Sequence, residues 1–372
     1  ELLAQTINAA VEMGLIAKSD LCRVIVDSTV QQKAIAHPTD SRLLEIARDK
    51  LVQTAKEAGV ALKQTFVKEG RQLAHKAGRY AHAKQFGRMR KAIGRQRTVL
   101  GRLFREVERK LANTTVVAPM TTAVSQALQT TLERVKRIWS QTAAKRNREG
   151  KGKLYAFHAP EVECIGKGKS RQPYEFGVKV GIASTLKHNL IVGAKAFPGN
   201  PYDGHTLNAQ LEQATILMQD NKTRPSDVFV DLGYRGVDAD NPTVAVKHRG
   251  KYKSLSVSDQ RLLKRRQAIE PIIGHLKQDH RMDRCHLKGE KGDRLHAVLC
   301  AAGYNIKWLL RMIAKKGVTF LEHLFLRLLG LQHQGDVHRL QAAVGAKLRW
   351  LVMPSASKMS ASPFRLAANA AF

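Results

Sequence analysis

The run Arg23-Val-Ile-Val-Asp-Ser-Thr-Val30 constrains this chain more than any other stretch. It is compact and rich in β-branched residues, so it reads as a buried strand with one acid, Asp27, inside it. A carboxylate in such a strand is costly unless it is paired or bound to a cation. A second strand-like run, Asp227-Val-Phe-Val-Asp231, also ends in an acid. Taken singly, either acid reads equally well as a cap or turn residue. Two of them on different strands of one sheet point to a metal site. Hard cations such as Mg²⁺ take oxygen ligands and keep several waters, so two or three carboxylates suffice.

The flanking pattern predicts what surrounds these strands. Residues 1–22 read as a short helix. Tyr174–Ala183 alternates as a strand, and Asn189–Phe197 reads as its hairpin partner through Lys187-His188-Asn189. Thr206–Gln219 is an amphipathic helix, Thr243–Val246 a short strand, and Ser256–Asp279 and Arg294–Lys315 are helices. Residues 149–173, with Gly150, Gly152, Gly166 and Gly168, read as a loop or hairpin that returns to the sheet. Residues 40–148 differ from all of this. They read as long helices broken at Asn113-Thr-Thr, with a second helical stretch to about Lys145. Without that block the order is that of a mixed sheet with helices packed on it, an α/β fold.

Charge narrows the partner. The 372 residues hold 63 Lys and Arg against 31 acids, a net charge of +32. From Lys63 to Lys110 there are 15 basic residues and 3 acids. A chain this basic calls for a polyanion, most often DNA or RNA, although ribosomal and membrane-surface proteins share the signature. The helical block fits a surface facing phosphates, or a solvated face. No uninterrupted apolar run reaches membrane-spanning length, so no spanning helix is expected. Cys22, Cys164, Cys285 and Cys300 lack metal-site spacing and read as reduced thiols of a cytoplasmic protein.

A third acid joins the pair on helical geometry. At about 100° per residue, Arg266, Glu270 and Lys277 fall on one polar stripe, at the rim of an apolar face made by Leu262, Ile269, Ile273 and Leu276. A surface salt-bridge stripe has the same spacing. Pro271 removes a helix hydrogen bond and predicts a kink beside Glu270. His205, His275 and His280 read as ordinary hydrogen-bonding residues, and Gly233 and Gly236 as turn residues.

The segment Ala268-Ile-Glu-Pro-Ile-Ile-Gly-His-Leu-Lys-Gln-Asp-His-Arg-Met-Asp-Arg-Cys-His-Leu-Lys-Gly289 resembles the C-terminal signature of bacterial transposases of the insertion-sequence-five family. Val24-Ile-Val-Asp-Ser-Thr-Val-Gln-Gln-Lys-Ala-Ile resembles that family's first-Asp strand, and Asp231-Leu-Gly-Tyr-Arg-Gly236 its second-Asp turn. Tyr174-Glu-Phe-Gly-Val-Lys-Val and Gly199-Asn-Pro-Tyr-Asp-Gly-His-Thr-Leu207 are similar to further familial segments. The likeness extends over roughly residues 1–310 and rests on the combination.

The resemblance implies an RNase H-like core with a large helical insertion after the first strand. It implies metal-binding, catalytic carboxylates at Asp27, Asp231 and Glu270, and phosphate contacts from Arg266 and Lys277. Leu263 stands where related transposases carry Tyr. Arg235 is a further DNA-contact candidate. Two Mg²⁺ or Mn²⁺ ions are expected, with double-stranded DNA as substrate, a homodimer or larger assembly on DNA, and a nucleoid-associated place in the cytoplasm. Members usually carry an upstream DNA-binding region, whereas Asp27 lies close to the start of this chain. The expected divisions are 1–39 for the first helix and strand, 40–148 for the basic insertion, 149–315 for the rest of the catalytic domain, and a tail at 316–372. The alternative is a decayed transposase copy that binds nucleic acid without cutting it. A junction-resolvase type of nuclease fits the Glu270 helix less well.

Overall fold

The structure is a computed structural model, and it describes residues 1–112, 121–143, 152–166 and 173–316. The expected break at Asn113-Thr-Thr, Lys145, Gly150 and Gly168, and the tail beyond Lys316, lie outside those residues. By its internal packing the chain divides into a unit Glu1–Leu309 and a unit that begins at Leu310.

A mixed sheet forms the centre of the first unit. Its order is β2 (Glu163–Gly166), β3 (Tyr174–Thr185), β1 (Arg23–Gln32), β5 (Asp227–Phe229) and β6 (Ala245–Lys247), and β4 (Ile191–Phe197) also pairs with β3. β1 runs antiparallel to β3, with Val24 opposite Thr185 and Gln32 opposite Gly177. It runs parallel to β5, with Arg23 opposite Asp227 and Ile25 opposite Phe229. At the β1–β3 crossing a side chain on Gly177 would collide with the Gln31 carbonyl, so the position admits only glycine. The β3–β4 hairpin turns at Asn189, whose φ of 60° suits a short polar side chain.

Alternate residues of β1 face opposite layers. Ile25, with Phe229, Val180 and Ile182, packs beneath Ile269, Ile272 and Leu276 of α8 (Ile269–Gln278) and Ala297 and Ala301 of α9 (Gly289–Lys316). Val24 and Val26, with Val228 and Val230, pack against Ile7 and Ala10 of α1 (Leu2–Glu12) and Leu207, Leu211 and Ala214 of α6 (Asp203–Leu217). Helices on both faces explain why Val24, Ile25 and Val26 follow one another without polar alternation. By length and composition alone Gly289–Lys315 would pass for a membrane span, as a core helix of a globular fold can. The expectation asked for an unbroken apolar run, whereas a span tolerates a few charges. In this fold Ala297, Ala301 and Ala302 are buried in the core, and Asn305 holds the Ile191 backbone by bonds of 2.9 and 2.8 Å. Among the described residues nothing else suggests a membrane.

The block after β1 is helical: α2 (Asp40–Glu57), α3 (Val67–His82), α4 (Phe86–Ala112) and α5 (Thr122–Gln141). It has its own core, in which Leu44 and Leu51 of α2 meet Leu100, Leu103 and Val107 of α4 and Leu128, Val135 and Ile138 of α5. The span expected as one helix over 256–279 is divided. α7 (Val257–Lys264) gives way to a 3-10 turn at Arg265–Ala268, then to α8. Pro271 explains the break, since its ring clashes with the carbonyl of Gln267 and it donates no hydrogen bond. The first expected helix also stops early, at Glu12, and a separate 3-10 turn follows at Lys18–Cys22.

Candidate functional site

Strand register brings the two sheet-borne acids together. Continuing the parallel offset between β1 and β5 sets Val26 opposite Val230 and Asp27 opposite Asp231, just past the last paired residue. Adjacent strands lie about 4.8 Å apart. Asp27 therefore looks across the strand gap at Asp231, where the chain leaves the sheet. The carboxylate of Asp231 accepts the Gly233 N–H at 2.8 Å and so caps the 3-10 turn Leu232–Tyr234. Asp27 accepts the Ser28 N–H at 2.8 Å, and Arg266 Nη1 lies 3.4 Å from its other oxygen.

A third carboxylate arrives from the opposite layer. Asp203 opens α6, accepts the Ser28 hydroxyl at 2.9 Å and pairs with Lys179 Nζ at 3.0 Å. A methyl group on Gly233 would lie 3.0 Å from Asp231 Oδ1 and 3.4 Å from Asp203 Oδ2, so both acids border one small space. The electrostatics agree. Burial first, with the charges of Asp231 and Asp203 adding to it against the Ser28 N–H and Arg266, raises the Asp27 carboxyl to about 6. Beneath them the Tyr234 hydroxyl is pushed well above its ordinary value, first by burial and then by Asp203, Asp27 and Asp231.

Glu270 sits in the first turn of α8, on the helix that packs over β1. Its side chain is exposed and makes no hydrogen bond or ion pair with another described residue. Lys277, seven residues on, lies 3.6 Å from the buried Glu175 of β3. The 3-10 turn holding Arg266 winds more tightly than an α-helix, so the even stripe through Arg266, Glu270 and Lys277 is interrupted. Arg235 is exposed at the end of the Asp231 turn, and its charge helps lower the His248 pKa after burial and Lys251. Leu263 is a core residue. Among the described residues no three His, Cys, Asp or Glu side chains are preassembled as a metal cage. The structure thus brings Asp27, Asp231 and Arg266 together and leaves Glu270 on the neighbouring helix rim.

Sequence reasoning did not assign Asp203, Ser28 or Lys179 to the site. The one available signal was the acid that follows the Gly199-Asn-Pro-Tyr turn at a helix start, a place where acids are common for reasons of capping alone.

The architecture is thus an α/β domain with a convergent carboxylate cluster where β5 ends beside the middle of β1. Residues 142–306 match the family described as the transposase DDE domain. The match supports a DDE transposase. It takes in Asp203, Asp231, Arg266, Glu270 and Lys277, and leaves Asp27 and most of the helical block outside. A Rhizobium meliloti protein described as uncharacterized protein ORF8 in the nfe locus is 49% identical over 86 residues, 23% of this chain. This chain spans 42% of the length of that relative. No solved structure matches the chain.

Proposed function

We propose that this chain is the DDE transposase of an insertion sequence related to the insertion-sequence-five family, built on an RNase H-like core, cutting DNA at the element ends and joining them to target DNA. The observation that carries the reading is the parallel register of Asp27 beside Asp231, with Arg266 and the Glu270 helix over the same strand. The donor set fits a divalent metal such as Mg²⁺ or Mn²⁺. Asp27 and Asp231 offer hard oxygens, and burial and crowding of like charge leave Asp27 with an unmet demand for a cation. Asp27, Asp231 and Glu270 would hold two such ions.

When bound, the metals activate the attacking hydroxyl and take up charge on the leaving oxygen. The chain's own groups do the positioning. The N–H groups of Ser28 and Gly233 fix the two Asp carboxylates, so little reorganisation is left for the reaction. In cleavage, water adds to the phosphorus and the 3′ oxygen leaves as a hydroxyl. In transfer, that hydroxyl adds to a target phosphate and displaces the next 3′ oxygen. Arg266 grips the flanking phosphate with its fork, and Lys277 adds a point charge. Arg235, exposed beyond the Asp231 turn, meets the duplex further out. Holding two ends at once calls for a dimer or larger assembly on DNA, and the nucleoid is where it would act.

The test is nicking of supercoiled plasmid carrying the element ends, in Mg²⁺ or Mn²⁺, by the wild-type chain and by Glu270→Gln. Metal-dependent nicking that disappears in the variant supports the reading. Salt-sensitive DNA binding without nicking by either form refutes catalysis and leaves a nucleic-acid binder.

A further inference from the structure

The longest described helix outside α9 carries a feature that the chemistry of the carboxylates does not use. α4 runs for 27 residues, about 40 Å. One side of it is sealed into the insertion core by Ala92, Gln96, Val99, Leu100, Leu103 and Val107. On the other side stand Arg88, Lys91, Arg95, Arg102, Arg105 and Arg109, all exposed. Their intervals of three, four, seven, three and four residues keep them within an arc of about 100°. From Arg88 to Arg109 this stripe is about 32 Å long, close to one turn of a DNA duplex at about 34–36 Å.

The surface is poor in compensation. Arg95 is paired with Glu69 at 2.6 Å. Glu106, at the edge of the arc, is occupied by Lys110 at 2.9 Å and by the Lys63 N–H at 2.9 Å. Lys91 and Arg102 have no hydrogen bond or ion pair among the described residues. Arg105 lies over the Phe104 ring, its guanidinium 5.4 Å from the ring centre, a placement that leaves its N–H groups available. A row of like charges held this close is unfavourable by itself and is relieved by a polyanion.

We infer that the outer face of α4 is a docking surface for the sugar–phosphate backbone of double-stranded DNA, gripping about one turn of duplex without reading its bases. The choice of DNA rests on the transposase reading; the choice of a phosphate backbone rests on the stripe itself. Fixed spacing on a rigid, core-anchored helix suits the regular phosphates of a duplex. The stripe is a single-sign row at regular intervals, which suits backbone phosphates, the contacts that fix position and affinity without carrying sequence information.

The experiment measures binding of the full chain to a short duplex of arbitrary sequence by fluorescence anisotropy, without divalent metal, across a salt series. Lys91→Gln/Arg102→Gln/Arg109→Gln lowers the slope of log affinity against log salt by about 2.7, as three phosphate contacts require. Arg102→Gln alone lowers it by about 0.9, which serves if the triple variant folds poorly. Arg102→Lys/Arg109→Lys keeps the wild-type slope. An unchanged slope in the Gln variants overturns the inference. So does an equal fall in Lys288→Gln/Lys291→Gln/Arg294→Gln, at and just before the start of α9, which would make the effect one of net charge, and so does tighter binding of single-stranded RNA. Because the readout needs no cleavage, an inactive chain that still shows the slope change defeats the transposase reading alone.

Discussion

Around the sheet, each cation beside the carboxylate cluster has an acid of its own: Arg266 has Asp27, Lys179 has Asp203, and Lys277 has Glu175. Along α4 the cations are more numerous than the acids, and Lys91 and Arg102 have none among the described residues. The first arrangement holds each cation within 3.0–3.6 Å of its acid and partly buries the pair. The second leaves them in water, spaced along a rod. Placement is what low-dielectric chemistry needs, because a misdirected buried charge is costly. A field is what a long polyanion needs, because phosphate attraction is additive and tolerant of detail. The +32 charge is therefore two properties, one local and one spread over a surface.

The sharpest way to break this contrast is to remove a placed charge while keeping its shape. Asp231→Asn should lower plasmid nicking by about 10³-fold or more while DNA binding at low salt stays within a few-fold. A parallel loss of binding would mean that the cluster, too, works as a field. Next in size is Lys33→Met. Lys33 is buried between Glu161 at 2.8 Å and Asp293 at 2.7 Å. Burial alone would lower its pKa, but the two carboxylates more than offset this and the net shift is upward. Removing it strands two buried acids and should cost about 3–5 kcal/mol in urea unfolding at neutral pH. A cost under about 1 kcal/mol would place it with exposed pairs.

Asp27 gives a pH signature. Its carboxyl titrates at about 6 in the folded chain and at 3.8 as the ordinary value. Between those values the folded chain keeps a proton that the unfolded chain has lost, so stability falls as pH rises through the window. The full cost, about 3 kcal/mol, is present above it. Asp27→Asn should therefore unfold at higher urea than wild type above about pH 7 in EDTA, with the gap closing below about pH 4. Added Mg²⁺ should narrow the gap by stabilising the wild type alone. A gap independent of pH would contradict the burial argument. The smallest effect belongs to the insertion. The Thr39 hydroxyl accepts the Arg42 N–H at 3.3 Å at the start of α2, and Thr39→Ala should cost about 1 kcal/mol with nicking unchanged on folded protein.

Much of this was visible in the residues. The β-branched runs gave β1, β3, β4 and β5 within a few residues, because a strand covered on both faces leaves little choice of composition. Asp27 and Asp231 stood out for the same reason, as acids where apolar residues belong. Pro271 announced a disturbance beside Glu270, although its form, a 3-10 turn through Arg266, depends on packing. The helical block was legible as helix, but its boundaries were not. The chain reverses at Phe66 and Lys84 in left-handed backbone that neither residue type advertises. Asp203 was hidden more deeply. Its place beside Asp27 comes from the way α6 crosses the far side of the sheet, and no local pattern encodes a crossing.

The pairing of β1 has a consequence for how the molecule comes into being. Its two neighbours, β3 and β5, begin at Tyr174 and Asp227, with the whole helical block lying between them and β1 in the chain. During synthesis this strand emerges well before either of its partners. Until they follow it is an apolar, β-rich ribbon with both edges open, the kind of segment that sticks to copies of itself. Contacts across so long a stretch of chain also form slowly. Slow translation, low temperature and chaperone supply should therefore govern how much functional material a cell yields more strongly than the stability of the finished fold does.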